Sequence, residues 1–308
     1  LQEVLPFSLA KWVQKSNAEL PAINEYPLIS AENLPENALF QVLEVKSQSP
    51  FKIDLYQITG VKPASILVFT WHHALMDAHG GELFIRYLGL PLAAKSPDWV
   101  VPDNPQLPLK SRAKIASEMK DFLYKTASLP LLSLFKKTAM KPQTRYRVLS
   151  FTPEQTQAIH EQAKQRDAAF LVSAFYLAST TYAVAQVQQQ RGTVEGDVLV
   201  PVPLDRRKRG AQGVILNNQV SFLFYRIQNA ILNDVSDMTA ELIAQMKALM
   251  RSDSPTHYVI MMDFLRRLPG FFYRKLLKAP TKGLMASFYY SDTGDSLQDF
   301  TLIFGRSV

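Results

Sequence analysis

Runs of apolar residues divide the first part of the chain into predicted strands and a helix. Residues 40–45, 51–58 and 64–71 are rich in aliphatic, β-branched and aromatic side chains, which is typical of strands. The last run, ASILVFTW, is almost unbroken, and this predicts a strand covered on both faces. Residues 82–88 follow with helical spacing.

Helices and strands alternate in the second part. Thr152 followed by Pro153 predicts a helix start, because an N-cap residue precedes proline at the first helical position. Asp167 is predicted to cap the next helix in the same way. The other predicted elements are a helix at 111–123, strands at 145–151, 197–202, 220–227, 284–290 and 300–304, and a mostly helical region at 235–277 that breaks near Pro269-Gly270.

One segment is long enough to suggest a membrane span. Residues 168–187 contain no charged side chain. They do contain several serines and threonines and lack aliphatic density, so a helix buried inside the protein is the preferred prediction.

A polar, proline-rich passage at residues 95–110 separates two groups of elements. Mixed strands and helices in this order predict an α/β, or layered α+β, architecture in two halves. We predict an N-terminal subdomain at residues 1–110, a linker or hinge at 111–144 and a C-terminal subdomain at 145–308.

Composition narrows the possible chemistry. The 308 residues include no cysteine, which excludes disulfides and thiolate nucleophiles and favours a cytoplasmic protein. The N-terminus lacks the basic-then-apolar plan of a signal peptide. A net charge of +7 makes an anionic partner plausible without identifying it.

The strongest candidate for chemistry is a pair of histidines at the end of a predicted strand. His72 and His73 open the turn HALMDAHGG, in which Asp77 can fix the turn or pair with a cation. Gly80 and Gly81 are predicted to allow a sharp bend. A neutral histidine can take a proton from an alcohol or amine near neutral pH.

Three interpretations of this cluster stay open on the residues alone: catalysis, core packing and a metal site. His72, His73 and His79 with a nearby aspartate resemble zinc ligands. Against this, no H-E-x-x-H helix is present, and adjacent histidines on a strand point to opposite faces. Because the chain has neither cysteine nor a G-x-S-x-G elbow, a covalent acyl-enzyme has little support.

The motif HHALMDAHGGE resembles the HHxxxDG signature of the chloramphenicol-acetyltransferase-like superfamily. That superfamily includes peptide-synthetase condensation domains and the wax-ester and diacylglycerol acyltransferases. The resemblance covers roughly residues 40–308 in the family's order. The further matching segments are SFTPEQTQAIHEQAKQRDAAFLVSAFYLAS, DVLVPVPLDRR, GVILNNQVSFLFYRI and SFYYSDTGD.

The resemblance implies two similar subdomains, each with a mixed sheet flanked by helices, and a tunnel between them. It implies that His73 is the general base that deprotonates an alcohol or amine as it attacks an acyl thioester. His72 is then a positioning residue. Asp77 is structural and pairs with an arginine that the sequence does not identify.

Substrate contacts are predicted on the same basis. Asn218, Ser221 and Ser291 are candidates for oxyanion or substrate contacts, or are ordinary hydrogen-bonding residues at strand ends. The donor is expected to be acyl-coenzyme A, with acyl-carrier protein as the alternative. No bound cofactor or metal is expected. A basic run is predicted to receive coenzyme A phosphates or a carrier's acidic surface: Arg206, Arg207, Lys208 and Arg209.

A second basic segment, residues 264–278, interleaves aromatic residues with cations. This segment is either an ordinary solvated face or a helix that lies on a membrane surface. The second interpretation predicts a peripheral membrane contact. Nucleic acid is not expected as a partner, because no recognised binding module accompanies the charge.

Some features depart from the family's pattern. Ala78 replaces the glycine of the signature. Relatives carry a longer stretch before the motif and further strands at the end, so the beginning of the first subdomain and the end of the second are expected to be missing. The remaining alternatives are a condensation-type domain that uses carrier-bound substrates and a non-catalytic binding relative.

Overall fold

A computed structural model of the protein describes most of the chain between residues 23 and 307. The described residues are 23–35, 38, 42–44, 49–59, 64–90, 107–134, 147–192, 195–207, 216–278, 286–297, 300–303 and 306–307.

Three strands form the first sheet: β1 (Ile23–Leu28), β2 (Phe51–Ile58) and β3 (Ala64–Trp71). β1 runs parallel to β2, which pairs antiparallel with β3. The predicted bounds of β2 and β3 are confirmed. The prediction that β3 is covered on both faces is wrong. It is an edge strand of the described sheet, and its side chains are half-buried or exposed.

Helix α1 (Ala78–Gly89) begins almost directly after β3, four residues earlier than predicted. Its N-cap is Asp77, whose carboxylate accepts a hydrogen bond of 2.7 Å from the Gly80 amide. An N-cap carboxylate satisfies an otherwise unpaired amide of the first turn, which explains why the helix starts there. The candidate motif is therefore the link between a strand and a helix.

Gly80 and Gly81 lie inside α1 and are buried. A Cβ atom on Gly80 would stand 2.1 Å from the backbone oxygen of Leu216, and one on Gly81 would stand 2.5 Å from the Trp71 ring. The predicted sharp bend at these glycines is therefore wrong. They are needed because backbone and ring atoms approach α1 closely.

We expect Gly80→Ala to destabilise the protein by about 1–3 kcal/mol, because the added methyl group meets a backbone oxygen that cannot rotate away. Urea unfolding of the variant measures this loss. Gly270→Ala is the matched control, since nothing lies within 4 Å of its added Cβ. Equal stability of the two variants would contradict the close approach.

The second half is built around two antiparallel strands, β4 (Val198–Asp205) and β5 (Val220–Ile227). Burial alternates along β5, with Leu223, Tyr225 and Ile227 buried. This face packs in the main core together with residues of α4 (Val172–Gln190) and α5 (Val235–Arg251).

Two further helices lie against the other face of β5. The rings of Phe222 and Phe224 pack on Tyr258 of α6 (Ser254–Leu265). α6 in turn packs along α2 (Leu109–Thr126), where Met119 and Met261 belong to one buried cluster. The remaining elements are α3 (Pro153–Lys164), α7 (Gly270–Lys278), β6 (Leu302–Ile303), β7 (Arg306–Ser307) and two 3₁₀ turns at Ala31–Asn33 and Asn229–Ile231.

The helix predictions have mixed outcomes. Thr152 caps α3 as predicted, in a capping box completed by Gln155. Asp167 does not cap α4. It takes a left-handed conformation with φ of 56° after α3, and Leu171 precedes α4 without a side-chain cap. The uncharged segment forms the helix α4, eight of whose residues are buried, as preferred. Among the described helices, none is long and apolar enough to cross a bilayer.

Three predicted strands are wrong over their described residues. Residues 42–44, 147–151 and 286–290 are irregular, although the last segment runs beside β4 through a hydrogen bond from the Ser287 amide to Leu199. Of the predicted strand at 300–304, residues 300 and 301 are irregular, 302 and 303 form β6, and residue 304 lies outside the described part of the chain. Of the proline-rich passage, residues 95–106 lie outside the described part of the chain. α2 occupies much of the predicted hinge, whose boundaries stay a prediction.

Candidate active site

His72 and His73, which follow β3, differ in their hydrogen bonds and in their exposure. The His72 amide donates to the carbonyl of Pro50 at 2.8 Å, and its ring Nδ1 accepts from the Ala74 amide at 3.1 Å. His72 thus shapes the turn. His73 is exposed, so its ring is accessible to a substrate.

Asp77 is buried and receives hydrogen bonds from several directions. Besides the Gly80 amide, the amide of Gln219 donates to Oδ2 at 2.7 Å. The Arg207 guanidinium adds two parallel bonds, 2.9 Å to Oδ1 and 3.1 Å to Oδ2. Their side chains are only 2% and 8% exposed. Such a bidentate pair fixes both orientation and distance.

Arg207 is therefore the arginine that the sequence did not identify. It also donates to the carbonyl of Asn217 at 2.7 Å and to Asp205 at 2.9 Å. The prediction that Arg207 receives coenzyme A phosphates is wrong, because its guanidinium is buried against these oxygens. Arg206 is half-buried, and Lys208 and Arg209 lie outside the described residues, so their assignment stays a prediction.

Asn218 is the candidate that contacts His73. Its Nδ2 lies 3.1 Å from the His73 ring Nδ1 and 3.1 Å from the His73 carbonyl oxygen. Its own Oδ1 accepts from the Val220 amide at 3.2 Å. The amide group of Asn218 is thus held on one side by β5 and on the other by the histidine.

The two predicted serines lie elsewhere. Ser221 is fully buried, and its hydroxyl donates to the carbonyl of Pro255 at 2.6 Å, which ties β5 to the start of α6. The prediction that this hydroxyl contacts an oxyanion is therefore wrong. Ser291 is exposed in an irregular segment, and its role stays a prediction.

The three histidines do not converge on a common point. His79 lies 3.6 Å from Glu82 and 3.9 Å from Asp205, whereas His73 contacts Asn218. Among the described residues, which include all three histidines, no group of three metal-ligating side chains stands close enough to hold a metal ion.

A cavity of about 340 Å³ lies in the second half, between the buried face of β4 and β5 and the helices α4 and α5. Its wall is mostly aliphatic and aromatic, with Asp292 and Thr293 at one side. Burial raises the pKa of Tyr225 to about 12, and burial followed by Asp292 raises the pKa of Tyr290, so both phenols stay neutral. This volume is at the small end of ligand pockets.

The cavity extends toward the end of the sheet that carries the histidine contacts. Leu204 lines it and pairs with Ser221 in the last rungs of the β4–β5 ladder, next to Asp205 and Val220. Gly294 lines it from the other side, and two residues later Ser296 hydrogen-bonds Glu82 of α1. The cavity and the histidine turn thus share neighbouring segments.

No protein-family model matches the chain, and no curated protein sequence matches it. Solved structures do. The first condensation domain of the CDA synthetase superposes with a TM-score of 0.58 at 17% identity, over 95% of this chain and 63% of that chain. The first condensation domain of the calcium-dependent antibiotic synthetase in complex with a substrate analogue gives 0.56 at 15% identity, over 91% and 63%. The SgcC5 protein from Streptomyces globisporus superposes with a TM-score of 0.51 at 13% identity, over 92% of this chain and 66% of that chain.

These similarities show the fold. The chain has a mixed α/β fold of the chloramphenicol-acetyltransferase-like type, as predicted from its sequence. The condensation domains named above are among the solved structures with a similar fold. It spans about 63% of the length of the condensation-domain chain named first.

Proposed function

We propose that this protein transfers an acyl group from a thioester to an alcohol or amine, with His73 as the general base and no covalent acyl-enzyme. The observation that carries the proposal is the way His73 is held. Its ring is exposed, and the turn that carries it is fixed by the buried Asp77–Arg207 ion pair. Asn218 contacts Nδ1 of the ring. A positioned imidazole of this kind is what general-base catalysis requires.

The contact with Asn218 assigns roles to the two ring nitrogens. Nδ1 faces Asn218, so Nε2 is the nitrogen left for a substrate. A base needs a lone pair on Nε2, and neutral His73 then carries its hydrogen on Nδ1. Asn218 must present its oxygen to that hydrogen.

In the structure the Asn218 amide is turned the other way. Its NH₂ group faces Nδ1 and the His73 carbonyl, and its oxygen accepts from Val220. That arrangement favours the form of His73 with its hydrogen on Nε2, which donates rather than accepts. Nε2 can take the acceptor's proton only in the form of His73 that carries its hydrogen on Nδ1, so we propose that the contact with Asn218 sets the balance between the two ring forms.

The Asn218 proposal predicts a spectroscopic change. Nitrogen-15 NMR of the histidine ring should show His73 with its hydrogen on Nε2 in the free protein, and Asn218→Asp, which offers only oxygens, should move it to Nδ1. Asn218→Ala should lower kcat roughly tenfold, the cost of about one hydrogen bond.

Asn217→Ala is the control for these variants, because that side chain contacts Gln219 rather than His73. An unchanged ring signal in Asn218→Asp would remove Asn218 from the mechanism while leaving His73 as the base.

The preferred donor is acyl-coenzyme A. The net charge of +7 and the basic residues Arg206, Lys208 and Arg209 after β4 support recognition of its phosphates. The apolar cavity of about 340 Å³ is a candidate place for a short acyl chain or a single ring. The condensation domains of similar fold favour the second candidate, a carrier-bound thioester.

The test is turnover with matched donors. The purified chain is incubated with a primary amine or alcohol and the same acyl group on coenzyme A or on an acyl-carrier protein, and products are measured by mass spectrometry. We expect product from acyl-coenzyme A. Product only from the carrier-bound donor would establish the second candidate. The absence of product from both donors would refute acyl transfer and leave a binding relative of this fold.

A further inference from the structure

An apolar groove runs along the surface between α2 and α6. It has a volume of about 270 Å³ and a largely apolar wall. Its wall includes Ala116, Leu123, Met261, Phe264, Leu265 and Leu268. Lys120 lines it as well, beside Tyr124 and Asp121.

Helix α7 starts close to this groove. It begins at Gly270, two residues after Leu268 of the groove. Phe271 and Phe272 open it, 65% and 54% exposed, with their rings edge to face at 5.5 Å. Two adjacent phenylalanines in water are costly for a protein that does not use them. We call the groove together with α7 the α2–α6–α7 surface.

Cations surround these aromatic residues. Arg267, Arg274 and Lys275 are exposed, as is Arg266, which lies 3.5 Å from Asp263. Between residues 264 and 278 the sequence contains no carboxylate. A short helix that combines exposed phenylalanines with lysines and arginines fits the boundary between lipid chains and acidic head groups.

We infer that the α2–α6–α7 surface docks on an anionic phospholipid bilayer. α7 lies in the plane of the interface with the rings of Phe271 and Phe272 among the upper acyl carbons. Arg267, Arg274 and Lys275 then face lipid phosphates. This inference does not depend on the acyl-transfer proposal, because none of these residues contacts His73 or Asn218 in the structure.

Charge complementarity favours a bilayer over a protein partner. An acidic protein would satisfy the cations, but the exposed rings would then need a matching apolar pocket, whereas a bilayer offers phosphate and hydrocarbon within a few ångströms of each other. The chain's net charge of +7 acts in the same direction at longer range.

The test is co-sedimentation of the full chain with vesicles. We expect binding to phosphatidylcholine vesicles that contain phosphatidylglycerol, and much weaker binding to phosphatidylcholine alone or at high salt. Arg274→Gln and Lys275→Gln should each weaken binding about fivefold. The pair Phe271→Ala and Phe272→Ala should weaken it roughly tenfold or more.

Matched controls are available at exposed sites elsewhere. Phe170→Ala removes a ring that is 99% exposed before α4, and Arg251→Gln removes an exposed cation at the end of α5. Both should bind vesicles like the parent chain, and circular dichroism checks folding of every variant. Equal binding by the α7 variants and the controls would overturn the inference. So would α7 variants that alter self-association in light scattering while vesicle binding stays unchanged.

Discussion

We expect His73→Ala to lower kcat by about 10²–10⁴-fold, the usual contribution of one positioned base. Folding should be unaffected, because the ring is exposed and its side-chain contact with a described residue is the one with Asn218. Single-turnover measurement of acyl transfer, together with thermal unfolding, checks both halves of the prediction.

His79→Ala is the matched control for that experiment. His79 is also an exposed histidine, in the first turn of α1, half accessible to solvent and near the carboxylates of Glu82 and Asp205. Its removal should leave turnover within about twofold, since it makes no contact with His73 and surface substitutions are generally mild. Full activity of His73→Ala would show that another group takes the proton.

The second large effect concerns stability. We expect Arg207→Met to lower the free energy of unfolding by about 3–5 kcal/mol, because it leaves the Asp77 carboxylate buried without its cation. Urea unfolding monitored by circular dichroism measures the change. Turnover should fall as well, since the His73 turn is anchored through Asp77.

Arg206→Met is the control for this variant, as it removes the neighbouring, half-buried cation that contacts phosphates in the proposal. A change within about 0.5–1 kcal/mol is expected for it. If both variants lose the same stability, the loss comes from altered charge rather than from the buried pair. Adding Asp77→Asn to Arg207→Met should cost less than the sum of the single changes, because the two groups form one unit.

Local patterns predicted much of the fold because they act over a few residues. The apolar runs gave β2, β3 and β5 their bounds, and Thr152 with Pro153 gave the start of α3. The strands predicted at 145–151 and 284–290 are irregular over their described residues, because a strand also needs a continuous ladder of backbone hydrogen bonds to a neighbour, which no local pattern reports. Asp167 failed because aspartate also favours left-handed turns.

In the site, too, local features could be predicted and long-range contacts could not. The position of His73 at the end of a strand followed from the sequence. Its contact with Asn218 joins residues 145 positions apart, and the pair of Asp77 with Arg207 joins residues 130 apart. No spacing rule covers such distances. The signal for Arg207 was the family resemblance, which implies an arginine partner for Asp77 without identifying it, and the basic run after β4 contains candidates.

The contacts of Asp77 and His73 constrain how this enzyme candidate can be recombined with its relatives. Among the described residues, the long-range hydrogen bonds of the Asp77 carboxylate and the His73 ring come from Arg207, Asn218 and Gln219, which lie between β4 and β5. A chimera that exchanges the first sheet and α1 would keep a competent turn only if the segment from Asp205 to Gln219 were exchanged with them. The cavity wall on α4 and α5 lies outside that block, so it can be varied separately to test whether this cavity holds the acyl group in the proposed reaction.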